Sequence, residues 1–66
     1  MNNTYKVWKN AYLVHKMVNV TFEAVVEFCD SYSEKNTGDW ITASVDGDNR
    51  NVLYKRCIEA GEREVK

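Results

Sequence analysis

The residues best placed to act together in this chain are four carboxylates that repeat at spacings of three and four along residues 23–34. These spacings put side chains on one side of an α-helix, here within an arc of about 60°. We call them the acidic strip: Glu23, Glu27, Asp30 and Glu34. Crowded like charges destabilise a helix, so we expect a basic counterpart, either within the chain or on a partner protein. The alternative is an ordinary solvated helix face, and nothing nearby suits the strip for acid–base catalysis.

The other reactive side chains form no recognisable catalytic or metal-binding pattern. His15 is the only histidine, and with Cys29 and Cys57 it lacks the spacing of metal ligands. Both cysteines fall on predicted core faces, where we expect reduced, inert thiols. Asp46-Gly47-Asp48 begins like a calcium loop, but a cysteine stands where the twelfth-position glutamate is needed, which indicates a turn. We therefore expect no metal, no cofactor and no enzymatic activity.

Size and charge narrow the class of protein. A chain of 66 residues forms one domain, 1–66, in which we expect residues 62–66 to be a frayed tail. Its 44% hydrophobic residues suffice for a packed core. Its net charge of −1 gives no overall electrostatic attraction to nucleic acids or anionic membranes, so we do not expect it to bind either. No apolar run is long enough for a signal peptide or a membrane span, so we expect a cytoplasmic protein.

Residues 4–9 and 11–18 are predicted to form a β-hairpin, because both are rich in Tyr, Val and Trp and Lys9-Asn10 between them suits a tight turn. One face then carries aromatic and β-branched side chains: Tyr5, Val7, Tyr12 and Val14. The other face carries a mixed set: Lys6, Trp8, Ala11, Leu13, His15 and Met17.

Residues 22–35 are predicted to form an amphipathic helix, with Thr21 as its N-cap and Gly38 available to end it. Its apolar side would hold six residues: Phe22, Val25, Val26, Phe28, Cys29 and Tyr32.

The last two elements are a strand and a segment that fits two patterns. Residues 40–45 alternate as a half-buried strand does, with Ile41, Ala43 and Val45 on one side. Residues 50–60 fit a helix better than a return strand, since a strand would mix charged and apolar residues on both of its faces.

The expected fold is therefore α+β, a two-layer ββαβα domain with a three-stranded sheet and both helices on one face. The alternative is ββαββ, with a C-terminal strand. Either way one sheet face stays uncovered, which suggests a protein partner or a homodimer contact. The residues expected there are Trp8, Leu13, His15, Met17 and Trp40.

A second functional hypothesis is a small nucleic-acid-binding protein that uses the basic and aromatic hairpin. Its residues would be Lys6, Trp8, Lys9 and Lys16. It requires the aromatic rings and the lysines to share one exposed face, whereas the hairpin pattern predicts that Tyr5 and Tyr12 point inward.

The opening M-N-N-T-Y-K-V-W-K-N, in a compact chain without proline, resembles the small accessory proteins of tailed phages. Some of those proteins block host enzymes or defence factors by direct binding. The resemblance implies a non-enzymatic inhibitor of a host protein, acting in the host cytoplasm, or else a homodimeric regulatory subunit. It carries no diagnostic motif and assigns no residue. The preferred interpretation is a protein-binding module that acts through the uncovered sheet face, the acidic strip, or both, with a protein partner that presents a basic surface.

Overall fold

A computed structural model describes residues 2–59, which form one helix packed on a four-stranded antiparallel sheet. The five elements are β1 (Asn3–Lys9), β2 (Tyr12–Val20), α1 (Phe22–Lys35), β3 (Ile41–Val45) and β4 (Asp48–Arg56). The strands lie in the order β2-β1-β3-β4, so β2 and β4 are the edges. The α+β class is confirmed, in the form of the alternative ββαββ. Gly61 and the expected tail, 62–66, lie outside the described residues.

The C-terminal helix predicted for residues 50–60 is wrong, because β4 occupies this segment up to Arg56. β4 pairs irregularly with β3: Tyr54 lies opposite Ala43 but Val52 lies opposite Ser44, which leaves Leu53 as an extra residue. Such a bulge shifts the alternation of side chains between the two faces. The period of two is therefore hidden in the sequence of β4, and the helical period fits it by coincidence.

A second bulge changes the expected faces of the hairpin. Trp8 pairs with Leu13, but Val7 pairs with His15, so Val14 is an extra residue in β2. His15 and Met17, expected on the uncovered face, lie instead on the helix side: His15 stacks on Phe28, and Met17 packs against the core. The turn is also one residue later than expected, at residues 10–11, with Asn10 at a φ of 57°.

The helix α1 begins and ends where local chemistry favours it. Thr21 is the N-cap, as predicted, and its hydroxyl accepts a hydrogen bond of 3.2 Å from the amide of Ala24. Asn36, rather than Gly38, caps the C-terminus and donates a side-chain hydrogen bond of 2.8 Å to the Tyr32 carbonyl. Gly38 lies in the following turn with a φ of 92° and donates its amide to Ile58. None of the described helices is long and apolar enough to span a membrane.

The core lies between α1 and the sheet. Its buried members come from both layers: Tyr5, Val7, Val25, Cys29, Ile41 and Ala43. β3 contributes two of them at alternate positions, as its sequence predicts, and Val45 packs at the margin. Because α1 is the only helix among residues 2–59, it covers one face of the sheet and leaves the other open.

Shortening the side chain of Ile41, which has no exposed surface, tests this core. Ile41→Val should lower the free energy of unfolding by about 0.5–1.5 kcal/mol, because one methylene leaves a packed site. Val18→Ala, at an exposed position in β2, is the control and should stay within about 0.5 kcal/mol of the parent. Urea unfolding followed by circular dichroism measures both, and equal losses would show that Ile41 is not in the core.

Candidate binding surface on the open sheet face

The pairing of the strands decides which side chains occupy the face opposite α1, here called the open face. Directly paired residues share a face, so Leu13, Trp8, Thr42 and Lys55 form one row across the sheet. A neighbouring row runs through Lys16, Lys6, Ser44 and Val52. Trp40 joins them, since it alternates with Thr42 and its ring lies under Lys55.

Trp8 is held in place at the centre of the open face. Its indole N–H donates a hydrogen bond of 3.1 Å to the hydroxyl of Ser44 on β3. Ser44 is only 1% exposed although it points away from the helix. The indole therefore reaches across the sheet toward Ser44, which fixes its orientation and lowers the entropy lost if a partner packs against it.

Apolar surface remains around this fixed ring. Leu13 and Trp40 are each 49% exposed, and Val52 is 48% exposed. Trp8, Asn10, Thr42 and Val52 line a shallow open depression of about 310 Å³. Fixed aromatic rings beside a depression are typical of the points where interfaces concentrate their binding energy.

The three lysines of the open face differ in their partners. Lys6 and Lys16 both contact the carboxylate of Asp46, at 3.3 and 3.7 Å. The ammonium of Lys55 lies 5.5 Å from the centre of the Trp40 ring. Within residues 2–59 no carboxylate pairs with Lys55, so its charge is the least neutralised on the face.

The acidic strip is only partly available to a partner. Asp30 accepts a hydrogen bond of 2.5 Å from the hydroxyl of Tyr54 and lies 3.8 Å from the guanidinium of Arg56, both on β4. The expected basic counterpart is therefore internal for this residue. Glu23, Glu27 and Glu34 are exposed on α1.

The lysines proposed for nucleic-acid binding do not all lie together. Lys6 and Lys16 share the open face with Trp8, but Lys9 pairs with Ile41, whose side chain is buried on the helix side. The sequence also failed to indicate Val52 and Lys55, because residues 50–60 were expected to be helical. The pair Asp46-Gly47 between two β-rich runs is the signal that predicts a hairpin there.

The two thiols have different surroundings. Cys29 is fully buried on α1, as predicted, while Cys57 is only half-buried. Burial, with a smaller contribution from the charge of Asp30, raises the pKa of Cys29 to about 11. Cys29 is therefore protonated at neutral pH and shielded from reagents.

A thiol reagent should distinguish these two residues. In the folded protein near neutral pH, we expect iodoacetamide to modify Cys57 and to leave Cys29 intact, and both to react after unfolding in guanidinium. Peptide mass mapping reads the sites. Modification of Cys29 at the rate seen in the unfolded chain would contradict the buried position of this side of α1.

The link between α1 and β4 predicts an altered titration of Tyr54. The hydrogen bond that it donates to Asp30 raises the pKa of the phenol, and desolvation adds to this rise. A raised pKa stabilises the neutral phenol in the fold, so its contribution to stability is full below about pH 10 and is lost as pH rises through the folded value.

Tyrosine ring carbon NMR measures this titration. Tyr54 should ionise above its ordinary pKa, and Asp30→Ala, which removes the hydrogen-bond acceptor, should bring the pKa back toward that value. Asp39→Ala, on the loop before β3, is the control and should leave the titration of Tyr54 unchanged. An unaltered titration in Asp30→Ala would show that Asp30 does not hold the phenol.

Comparison with known proteins leaves the interpretation to the geometry of the open face. The chain matches no family model, and it matches no curated protein and no solved structure.

Proposed function

We propose that this protein is a small non-enzymatic module that binds a protein partner on its open face. The observation that supports the proposal is a sheet face, uncovered by residues 2–59, on which Trp8 is fixed by Ser44 and surrounded by exposed Leu13, Trp40 and Val52. Exposed apolar residues gathered on one face are typical of protein interaction sites.

The size of the open face favours a short segment of the partner. Four strands are about 19 Å wide, and strands of five to nine residues average about 25 Å in length, which gives a footprint of roughly 500 Å². A standard interface buries about 800 Å² on each partner. The open face alone therefore suits a peptide-length segment better than a second folded domain.

Binding of this kind acts by occupying the partner's surface. In the phage-type interpretation the partner is a host protein in the host cytoplasm, and the module inhibits it by covering the segment that it binds. A homodimer through the open face is less favourable, because it would bring the lysines of two copies, Lys6, Lys16 and Lys55 of each, toward one another.

Single-stranded nucleic acid is the second candidate, because two tryptophans and three lysines share the open face. Two features favour a protein instead. Lys6 and Lys16 are engaged by Asp46, and the ammonium of Lys55 lies near the Trp40 ring on which a base would stack.

Selection from a library of random twelve-residue peptides tests the proposal without knowledge of the natural partner. We expect the immobilised protein to enrich peptides that lose at least tenfold in affinity when Leu13→Ala and Trp40→Ala are combined. Both residues are about half exposed, so the fold should survive, and thermal unfolding checks this.

The matched control is Glu23→Ala with Glu27→Ala on the exposed side of α1. Enriched peptides should bind this variant and the parent equally. Peptides that depend on α1 and not on Leu13 and Trp40 would contradict the proposed site. Failure to enrich any peptide, together with tight binding of a twelve-residue oligothymidine, would favour the nucleic-acid function.

A further inference from the structure

Charge is divided between the two sides of this small domain. Among residues 2–59, the open face carries Lys6, Lys16 and Lys55, and the one carboxylate paired with these lysines is that of Asp46. The acidic strip, with all four of its carboxylates, belongs to α1 on the other side of the sheet. A chain that is nearly neutral as a whole thus presents a basic face to whatever packs on its open face.

The open face already binds one carboxylate. The oxygens of Asp46 lie between the ammonium groups of Lys6 and Lys16, which come from adjacent strands and are opposite each other in the sheet. This contact shows that the spacing of side chains on this face brings a carboxylate within reach of two lysines.

Lys55 offers a second position, and there the anion is missing among residues 2–59. Its ammonium is placed by the Trp40 ring, and its backbone lies opposite Thr42, which lines the depression beside Trp8. A positive charge, a hydroxyl and an apolar depression therefore lie in one row of the sheet.

Resting on the proposed function, we propose that the partner segment is acidic and places a carboxylate at Lys55 and a large apolar side chain in the depression beside Trp8. The carboxylate would receive the charge-assisted hydrogen bond that Lys55 does not make within residues 2–59. The apolar side chain would contact the fixed indole and Val52. This proposal differs from the sequence-based expectation, in which the partner presents a basic surface to the acidic strip.

The composition of the selected peptides tests this proposal. We expect the peptides enriched from the random twelve-residue library to be net negative, with Asp or Glu beside Leu, Phe, Tyr or Trp. Their affinity should fall at least tenfold in Lys55→Glu and several-fold in Lys55→Met, which keeps the apolar stem of the side chain. Raising the salt concentration should weaken binding to the parent more than to Lys55→Met.

Lys35→Glu on α1 is the matched control, because it makes the same change of net charge on the other side of the sheet. It should change affinity by less than twofold. Equal losses in Lys35→Glu and Lys55→Glu would indicate a general charge effect and overturn the assignment to Lys55.

The outcome also separates this proposal from the function on which it rests. Neutral or basic peptides that still require Leu13 and Trp40 would overturn the acidic partner and leave the binding module intact. Absence of any peptide that requires the open face would overturn both. An oligothymidine is then added to the protein with the selected peptides bound. If it displaces the peptides at a concentration below theirs, nucleic acid is the ligand in place of an acidic protein segment.

Discussion

The structure depends on one constraint: residues 2–59 provide a single helix, which can pack on only one of the two faces of the sheet. α1 has 14 residues, which gives a length of about 21 Å, close to the width of about 19 Å of four strands, and it packs on one face of the sheet. The buried side chains of α1 lie on its side facing the sheet: Val25, Cys29 and Ser33. The open face is therefore left uncovered by residues 2–59, and it carries both apolar and charged side chains.

Specific contacts orient the side chains of the open face and satisfy their polar groups. The hydrogen bond between Trp8 and Ser44 satisfies two polar groups and fixes the indole, while Asp46 shields two of the lysines. Bulges interrupt both edge strands, at Val14 in β2 and at Leu53 in β4. Interrupted edges are poor templates for pairing with another strand, so these bulges disfavour aggregation through the edges of the sheet.

Sequence reasoning succeeded where local chemistry and periodicity agree. For α1, the Thr21 cap and the apolar period indicate the same element, and its predicted bounds, 22–35, match the structure. The alternation of β3 likewise predicted the burial of Ile41 and Ala43, although Ser44, on the opposite side, is also buried and Val45 is only half-buried. Nothing in either element shifts the period, so the pattern could be read directly.

The errors in the prediction arise where a bulge shifts that period. His15 and Met17 were assigned to the open face because one extra residue in β2 cannot be recognised from alternation alone. In β4 the extra residue Leu53 disturbs the alternation in the same way, so the strand was not predicted and Lys55 was not assigned to the open face. The mixed faces of β4 are explained by partners distant in sequence: Lys55 contacts Trp40, and Arg56 contacts Asp30. The uncovered sheet face was therefore predicted from the sequence, but the contribution of Val52 and Lys55 to it was not.

Binding on the open face requires that this face be accessible to solvent in the folded protein. Methyl NMR with a soluble gadolinium chelate measures this directly, because the chelate broadens signals from solvent-exposed groups. We expect strong broadening of the Leu13 and Val52 methyl signals and little broadening of those of Val7 and Val25, which are buried between α1 and the sheet. If the Leu13 and Val52 signals were broadened as little as those of Val7, at low protein concentration, the open face would be covered in the folded protein and the proposed binding site would be contradicted.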